Sequence, residues 1–168
     1  MSKQPSESKS RYASLPYRPG VGVMLLNQEN MVFVGKRIDT RGEAWQMPQG
    51  GIDEDETPQD AVLREMLEEV GTRNAEVICE SSNWFYYDLP DYLVPRLWHG
   101  KYRGQKQKWF AMRFLGKDTE ININTEAPEF MAWRWVPMDD LPQLIVPFKR
   151  KLYNAILEEF RPHIKIMD

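Results

Sequence analysis

Glu56, Arg64, Glu65, Glu68 and Glu69 crowd into one short stretch, just after the paired glycines Gly50 and Gly51. On a helix, successive residues advance by about 100°, so Glu65, Glu68 and Glu69 share an arc of roughly 100°. Leu63, Met66, Leu67 and Val70 then centre on the opposite side, giving an apolar stripe and a carboxylate stripe on one element. Like charges at i,i+4, as at Glu65 and Glu69, repel by a few tenths of a kcal/mol on an isolated helix. A hard divalent cation would turn that repulsion into coordination, because Mg²⁺ prefers oxygen ligands. The same ion could be held against the phosphates of a substrate. Arg64 and Glu56 flank the cluster, and Arg64 could orient a glutamate through a bidentate contact or touch a phosphate. A solvated acidic face is the plainer reading of several glutamates on a helix, and the trio alone leaves both readings open. An EF-hand calcium loop is discounted, since Asp53 and Asp55 lack its ligand spacing and central glycine.

The helix that must carry these groups is well punctuated. Thr57 suits the N-cap, Pro58 the first helical position, and Asp60 completes a pattern like a capping box. Gly71 stands where a left-handed C-terminal cap belongs, so a helix is predicted over 58–70. Upstream, Val21 to Leu26 and Met31 to Val34 read as strands joined by the turn Asn27-Gln28-Glu29-Asn30. Asp39 to Glu43 reads as a loop, and Trp45-Gln46-Met47-Pro48-Gln49 leads into the double glycine, where a backbone can turn sharply or approach a ligand closely. Further strands are expected at 76–81, 84–88, 108–115 and 132–136. A last helix is expected over 147–160, with Phe148, Leu152, Ala155 and Ile156 on one face. Strands mixed with a few helices, and no internal repeat, predict a single-domain α/β/α sandwich with a mixed β-sheet over residues 15–162. Residues 1–14 read as a flexible N-terminal tail and 163–168 as a short C-terminal one.

The totals narrow the function. The chain has 168 residues, 42% of them apolar, and a net charge of -3, enough for one core and wrong for a general nucleic-acid coat. An acidic chain that handles phosphates needs local basic residues or bound cations. Cys79 is the sole cysteine, so no internal disulfide can form, and a cytoplasmic location is the default expectation. No apolar run has the length of a membrane span. His99 and His163 are the only histidines, and no Ser/His/Asp or Cys/His arrangement gives either one a catalytic role.

The pattern Gly50, Glu56, Arg64, Glu65, Met66, Glu68, Glu69, Gly71 matches the Nudix signature, with a box over 50–72. Only the final position departs, being Thr72 in place of an aliphatic residue; it is a packing position and leaves the chemistry untouched. The chain resembles the Nudix hydrolases. Further blocks draw the resemblance towards the branch of bacterial RNA pyrophosphohydrolases and dinucleoside polyphosphate hydrolases. They are Tyr17-Arg18-Pro19, Trp45 to Ile52, Gly104 to Phe110, Pro128-Glu129-Phe130, Trp133 to Val136 and Phe148-Lys149-Arg150.

The resemblance implies Mg²⁺ or Mn²⁺ held by Glu65, Glu68 and Glu69, with Glu129 as a further ligand or general base. It implies hydrolysis of a phosphoanhydride, in which metal-bound water attacks phosphorus. Arg18, Arg37, Lys106 and Lys108 become candidate phosphate contacts, and Gln105 joins them through its matching block. Phe148 and Lys149 resemble residues that hold a nucleotide near the 5′ end, with Arg37 as the other side of a base slot. Tyr86 or Tyr87 could reach a phosphate from the aromatic run 84–87, while Trp84, Trp109, Trp133 and Trp135 are expected in the core and Cys79 as a small buried hydrophobe. The implied substrates are 5′-triphosphorylated RNA or, alternatively, a dinucleoside polyphosphate such as diadenosine tetraphosphate. A silent nucleotide-binding module is the reading from another class, and it predicts damaged carboxylates, which this chain lacks. No stable protein partner is predictable.

Overall fold

A computed structural model describes residues 11–38 and 43–164. Most of the expected tails and of the loop at Asp39 to Glu43 lie outside the described residues. The central strand β1 (Tyr17–Leu26) alternates between two cores: Val21, Val23 and Leu25 face one side, Met24 and Leu26 the other. A strand buried on both faces needs cover on both. Helix α1 (Pro58–Glu69) supplies one layer through Val62 and Met66, which meet Phe33, Phe110 and Met112. Helix α3 (Arg150–Phe160), with the short α2 (Leu141–Leu144), supplies the other through Leu152, Tyr153, Ile156 and Phe160. The result is the predicted α/β/α sandwich.

The remaining strands are β2 (Val32–Arg37), β3 (Trp45–Gln46), β4 (Gln49–Gly51), β5 (Ala75–Glu80), β6 (Phe85–Asp88), β7 (Gly104–Phe114) and β8 (Phe130–Val136). The sheet is mixed: β1 runs parallel to β7 along its whole length, from Tyr17↔Gly104 to Leu26↔Arg113, and all other pairings are antiparallel. β1 and β2 pair only at their hairpin end, Leu26↔Val32. Beyond it β1 takes β4 as partner, Gly20↔Gly51 to Gly22↔Gln49, while β2 continues with β3 and β8. The sheet therefore splits beside β4, and this split positions the site.

Several expectations shift. The run Trp45 to Gln49, read as a lead-in, forms the short strands β3 and β4. β7 begins at Gly104, ahead of the expected 108. Residues 147–149 form a 3₁₀ turn before α3, so Phe148 precedes the helix. On α1 the buried set is Ala61, Val62, Met66 and Glu69, whereas Leu67 is 48% exposed. The helix is rotated from the expected orientation, so that its inward line runs through Val62, Met66 and Glu69 and carries a carboxylate into the sandwich. Trp109 is fully buried, and Trp133 and Trp135 pack on the α1-side core, as expected. Cys79 is only partly buried. At the N-terminal edge, Tyr12 and Leu15 pack on the α3-side core and Arg103 donates to the Ala13 carbonyl at 2.8 Å.

Candidate active site

The loop before α1 is built to start a helix beside a charge. The Thr57 hydroxyl accepts the Asp60 N–H at 3.1 Å, satisfying one of the helix's otherwise orphaned donors. At the far end Gly71 has φ +84°, a left-handed conformation cheap only for glycine. Between these caps, Arg64 gathers the acidic groups. Its Nε donates to Glu56 Oε2 at 2.8 Å and its Nη2 to Glu56 Oε1 at 2.9 Å, a bidentate clasp. Nη2 also donates to the Gly51 carbonyl at 2.8 Å, and Nη1 reaches Glu65 Oε1 at 2.9 Å and Glu68 Oε2 at 3.3 Å. One guanidinium thus locks loop, β4 and helix together. The clasp lowers the Glu56 carboxyl to about 2, chiefly through the Arg64 hydrogen bonds, and raises the Arg64 pKa.

The paired glycines make room for this packing. A Cβ on Gly50 would stand 2.0 Å from the Glu65 carboxyl carbon, and one on Gly51 would stand 2.2 Å from Arg18 Nη2. Glu65 and Arg18 therefore lie directly against the backbone of β4. The close approach foreseen for a ligand is first of all an approach by these two side chains.

Glu65 and Glu69 are poised unusually for carboxylates. Burial raises Glu65 to about 7; Arg64 pulls it down, while Glu68 and Glu129 push it up. Glu69 is 4% exposed, and burial first, then the nearby Glu65 and Glu129, raise it well above the usual carboxylate range. The backbone N–H of Gln49 and the charge of Arg37 oppose that shift. Glu69 Oε2 is buried and makes no hydrogen bond. An acceptor stranded in this way costs about 1–3 kcal/mol, and a cation is one group that would relieve it. The donors are all oxygens, which suits Mg²⁺ or Mn²⁺. Among the described residues no set of His, Cys, Asp or Glu side chains already stands at ligand spacing. Glu65 and Glu68 rest on Arg64, so an ion drawing on the oxygens that face Arg64 would compete with that contact.

Glu129 sits just before β8, its Oε2 3.6 Å from Arg37 Nη2. Its influence on both Glu65 and Glu69 places it on the same acidic cluster, brought there by the β2·β8 pairing. The expected substrate contacts divide by strand alternation. Arg18, Gln105 and Tyr87 stand side by side on β1, β7 and β6, on the α3 side of the sheet. The Tyr87 hydroxyl feels the charges of both Arg18 and Arg37, and burial pushes its pKa up to about 12. Phe148 lies 6.3 Å from the Tyr87 ring, and Lys149, 93% buried, carries its Nζ over that ring at 5.1 Å. Arg18 stacks over Trp98 at 5.1 Å.

Lys106, Lys108 and Tyr86 lie on the other face. Lys106 and Lys108 stand over Trp84 at 5.3 and 5.9 Å, and Lys108 also donates to the Ser81 carbonyl at 3.0 Å and pairs with Glu80 at 3.6 Å. Tyr86 is 57% exposed and meets Tyr17 edge-on at 5.0 Å. Three site neighbours escaped the sequence reading: Gln49, which binds Glu69 through its backbone; Trp98, under Arg18; and Tyr153, whose hydroxyl accepts the Met47 N–H at 2.8 Å within reach of the Glu69 charge. Gln49 lies within the matching stretch Trp45 to Ile52, but nothing local distinguishes Trp98 or Tyr153.

Acidic oxygens gathered by an arginine at a split in a mixed sheet, with arginines rimming the same opening, suit a phosphate chain bound together with a cation. The chain belongs to the Nudix hydrolase family: the NUDIX domain model matches residues 16–156. A protein of Rickettsia typhi named RNA pyrophosphohydrolase is 56% identical over 158 residues, covering 94% of this chain and 98% of its own. The protein of that name from Rickettsia prowazekii is 55% identical with the same coverage. Among solved structures, the E. coli dihydroneopterin triphosphate pyrophosphohydrolase superposes with a TM-score of 0.61 at 19% identity, covering 85% of this chain and 98% of its own. A C. elegans Ap4A hydrolase gives 0.60 at 14%, with the same coverage. These distant likenesses bear on the fold alone.

Proposed function

We propose that this protein is a divalent-cation-dependent pyrophosphohydrolase that removes pyrophosphate from the 5′ end of triphosphorylated RNA. The observation that carries the reading is the acidic cluster itself, with the buried Glu69 oxygen lacking a partner beside Glu65, Glu68 and Glu129. The names of relatives at 54–56% identity over nearly the whole chain point the same way. Intact carboxylates speak against a silent binding module.

Glu65, Glu68, Glu69 and Glu129 would hold Mg²⁺ or Mn²⁺. When bound, the ion supplies charge neutralisation for the polyphosphate and an acidified water. Arg64 holds Glu56 ionised and fixes the helix against β4, so the ligand glutamates start from one orientation. Arg18 and Arg37 would orient phosphate oxygens, and a glutamate not engaged by the ion, with Glu129 as one candidate, would accept the proton of the attacking water. Positioning and charge would supply most of the rate, as in phosphoryl transfer generally. Phe148 and Lys149, set against Tyr87, would seat a base near the 5′ end, with Arg37 opposite. The net charge of -3 fits an enzyme that grips only a terminus. Among the described residues no helix is long and apolar enough to cross a membrane, and we place the activity in the cytoplasm, where such RNA is found.

The second reading, asymmetric cleavage of diadenosine tetraphosphate to ATP and AMP, would use the same site. Steady-state turnover on triphosphorylated RNA and on the dinucleotide, measured side by side with Mg²⁺, separates the two. Higher kcat/KM on RNA is expected; cleavage of the dinucleotide alone overturns the proposal.

A further inference from the structure

On the α3 side of β7 a row of polar side chains runs through the core. Trp109 Nε1 donates to Gln107 Oε1 at 2.8 Å, Gln107 Nε2 donates to Gln105 Oε1 at 2.7 Å, and the Tyr87 hydroxyl donates to the same Gln105 oxygen at 2.9 Å. Trp109 and Gln107 are fully buried, Gln105 is 1% exposed and Tyr87 7%. Two amides in a core are a costly way to fill space unless each is hydrogen-bonded and oriented.

The direction of this row is not arbitrary. An indole N–H can only donate, so Gln107 must turn its oxygen to Trp109 and its NH₂ to Gln105. Gln105 must then turn its oxygen into the row, and its own NH₂ out of it. That NH₂ lies 3.1 Å from where a Cβ on Gly20 would stand, and the Gly50 carbonyl lies 2.8 Å from the same point. This is the β1–β4 crossing against which Glu65 and Arg18 pack, with Arg18 beside Gln105 in register. The opposite orientation would present a carbonyl oxygen there, which repels an anion.

We propose that Trp109 and Gln107 are positioning residues that fix Gln105 with its amide N–H groups directed at the phosphate chain of the substrate. The proposal rests on the functional reading above. It adds that affinity for the phosphate chain depends on an indole donor remote from the site. Removing that donor takes away the one partner that cannot reverse, because the Tyr87 hydroxyl and the Gln49 side-chain amide bonded to it can each donate or accept.

The test uses Trp109→Phe, which deletes the donor and keeps an aromatic ring, with Gln107→Met as the second variant should Trp109→Phe fail to fold. On triphosphorylated RNA with Mg²⁺, KM should rise about tenfold, as expected for one lost hydrogen bond to a charged group, while kcat stays within about threefold. Independently of turnover, the Gln105 side-chain amide signals in ¹H–¹⁵N spectra of the wild-type protein should shift when inorganic triphosphate and Mg²⁺ are added, and should not in the variant. A folded variant with unchanged KM overturns the proposal, as does a Gln105 amide that stays put while other signals move. Absence of RNA turnover in the wild-type protein would count against the functional reading instead, since the amide signals are read on triphosphate alone.

Discussion

Removing the ion should make the folded state sensitive to pH in a direction opposite to ordinary surface carboxylates. Glu65 sits at about 7 in the folded protein against a usual 4.5, because burial disfavours its charged form. A folded-state pKa above the unfolded one means that the native protein holds the proton more tightly. The associated stability is complete below about 4.5 and is lost as pH rises through about 7. Moving this carboxyl from 4.5 to about 7 corresponds to about 3 kcal/mol in all. The Glu65 side chain is only 13% exposed, so solvent screening removes little of it. Glu69, raised by burial and by Glu65, adds in the same direction. Glu56, lowered to about 2 by Arg64, loses its contribution only below about 4.5 and leaves this window untouched. For a domain of this size about 3 kcal/mol moves Tm by roughly 10 °C. Because about 1 kcal/mol of this is already lost between pH 4.5 and 5.5, metal-free protein should melt about 6 °C lower at pH 8 than at pH 5.5. Saturating Mg²⁺, which favours the ionised carboxylates and expels their protons, should raise Tm far more at pH 8 than at pH 5.5. Thermal melts in chelator and in Mg²⁺ across this range read both effects, and Glu65→Gln should flatten the metal-free curve. A Tm that is level from pH 5.5 to 8 without metal, or a Mg²⁺ response equal at both ends, would refute the reasoning.

Other outcomes follow from single contacts. Glu68 is 56% exposed at its side chain, so Glu68→Gln should cut kcat by about 10³-fold with Tm unchanged within error, the loss of a charge that acts on the reaction rather than the fold; unchanged turnover removes Glu68 from the ion site. Gly50→Ala should drive its methyl into the Glu65 carboxylate, weakening the Mg²⁺ dependence of Tm by displacing a ligand; an unaltered Mg²⁺ titration argues against the Glu65 assignment. Thr57→Ala removes the α1 cap and should cost about 1 kcal/mol in chemical denaturation while leaving KM for RNA unchanged.

Much of this was legible along the chain, and the exceptions share a cause. Helix α1 announced itself through Thr57, Pro58 and Gly71, which act on the local backbone, and the box residues carried the acidic cluster with them. The sandwich followed from strands and helices that could bury apolar faces only against each other. Glu69, Gln105, Gln107 and Lys149 are polar residues in buried positions, and periodicity reads such residues as facing solvent. Leu67 is the reverse case, an apolar residue left outside by the rotation that brought Glu69 inside. β3 and β4 were hidden because their pairing is set by the split between β1 and β2, a long-range feature without a local signal. The division of Lys106 and Lys108 from Gln105 follows from simple alternation once β7 is known to start at Gly104.

The most direct measurement is anomalous diffraction from crystals soaked with Mn²⁺ and a non-hydrolysable 5′-triphosphorylated dinucleotide. Coordination by oxygens of Glu65 and Glu69 at about 2.2 Å, with the phosphate chain on the same ion, is the expected result. An ion held elsewhere, with Glu65 and Glu68 still clasped by Arg64, would contradict it.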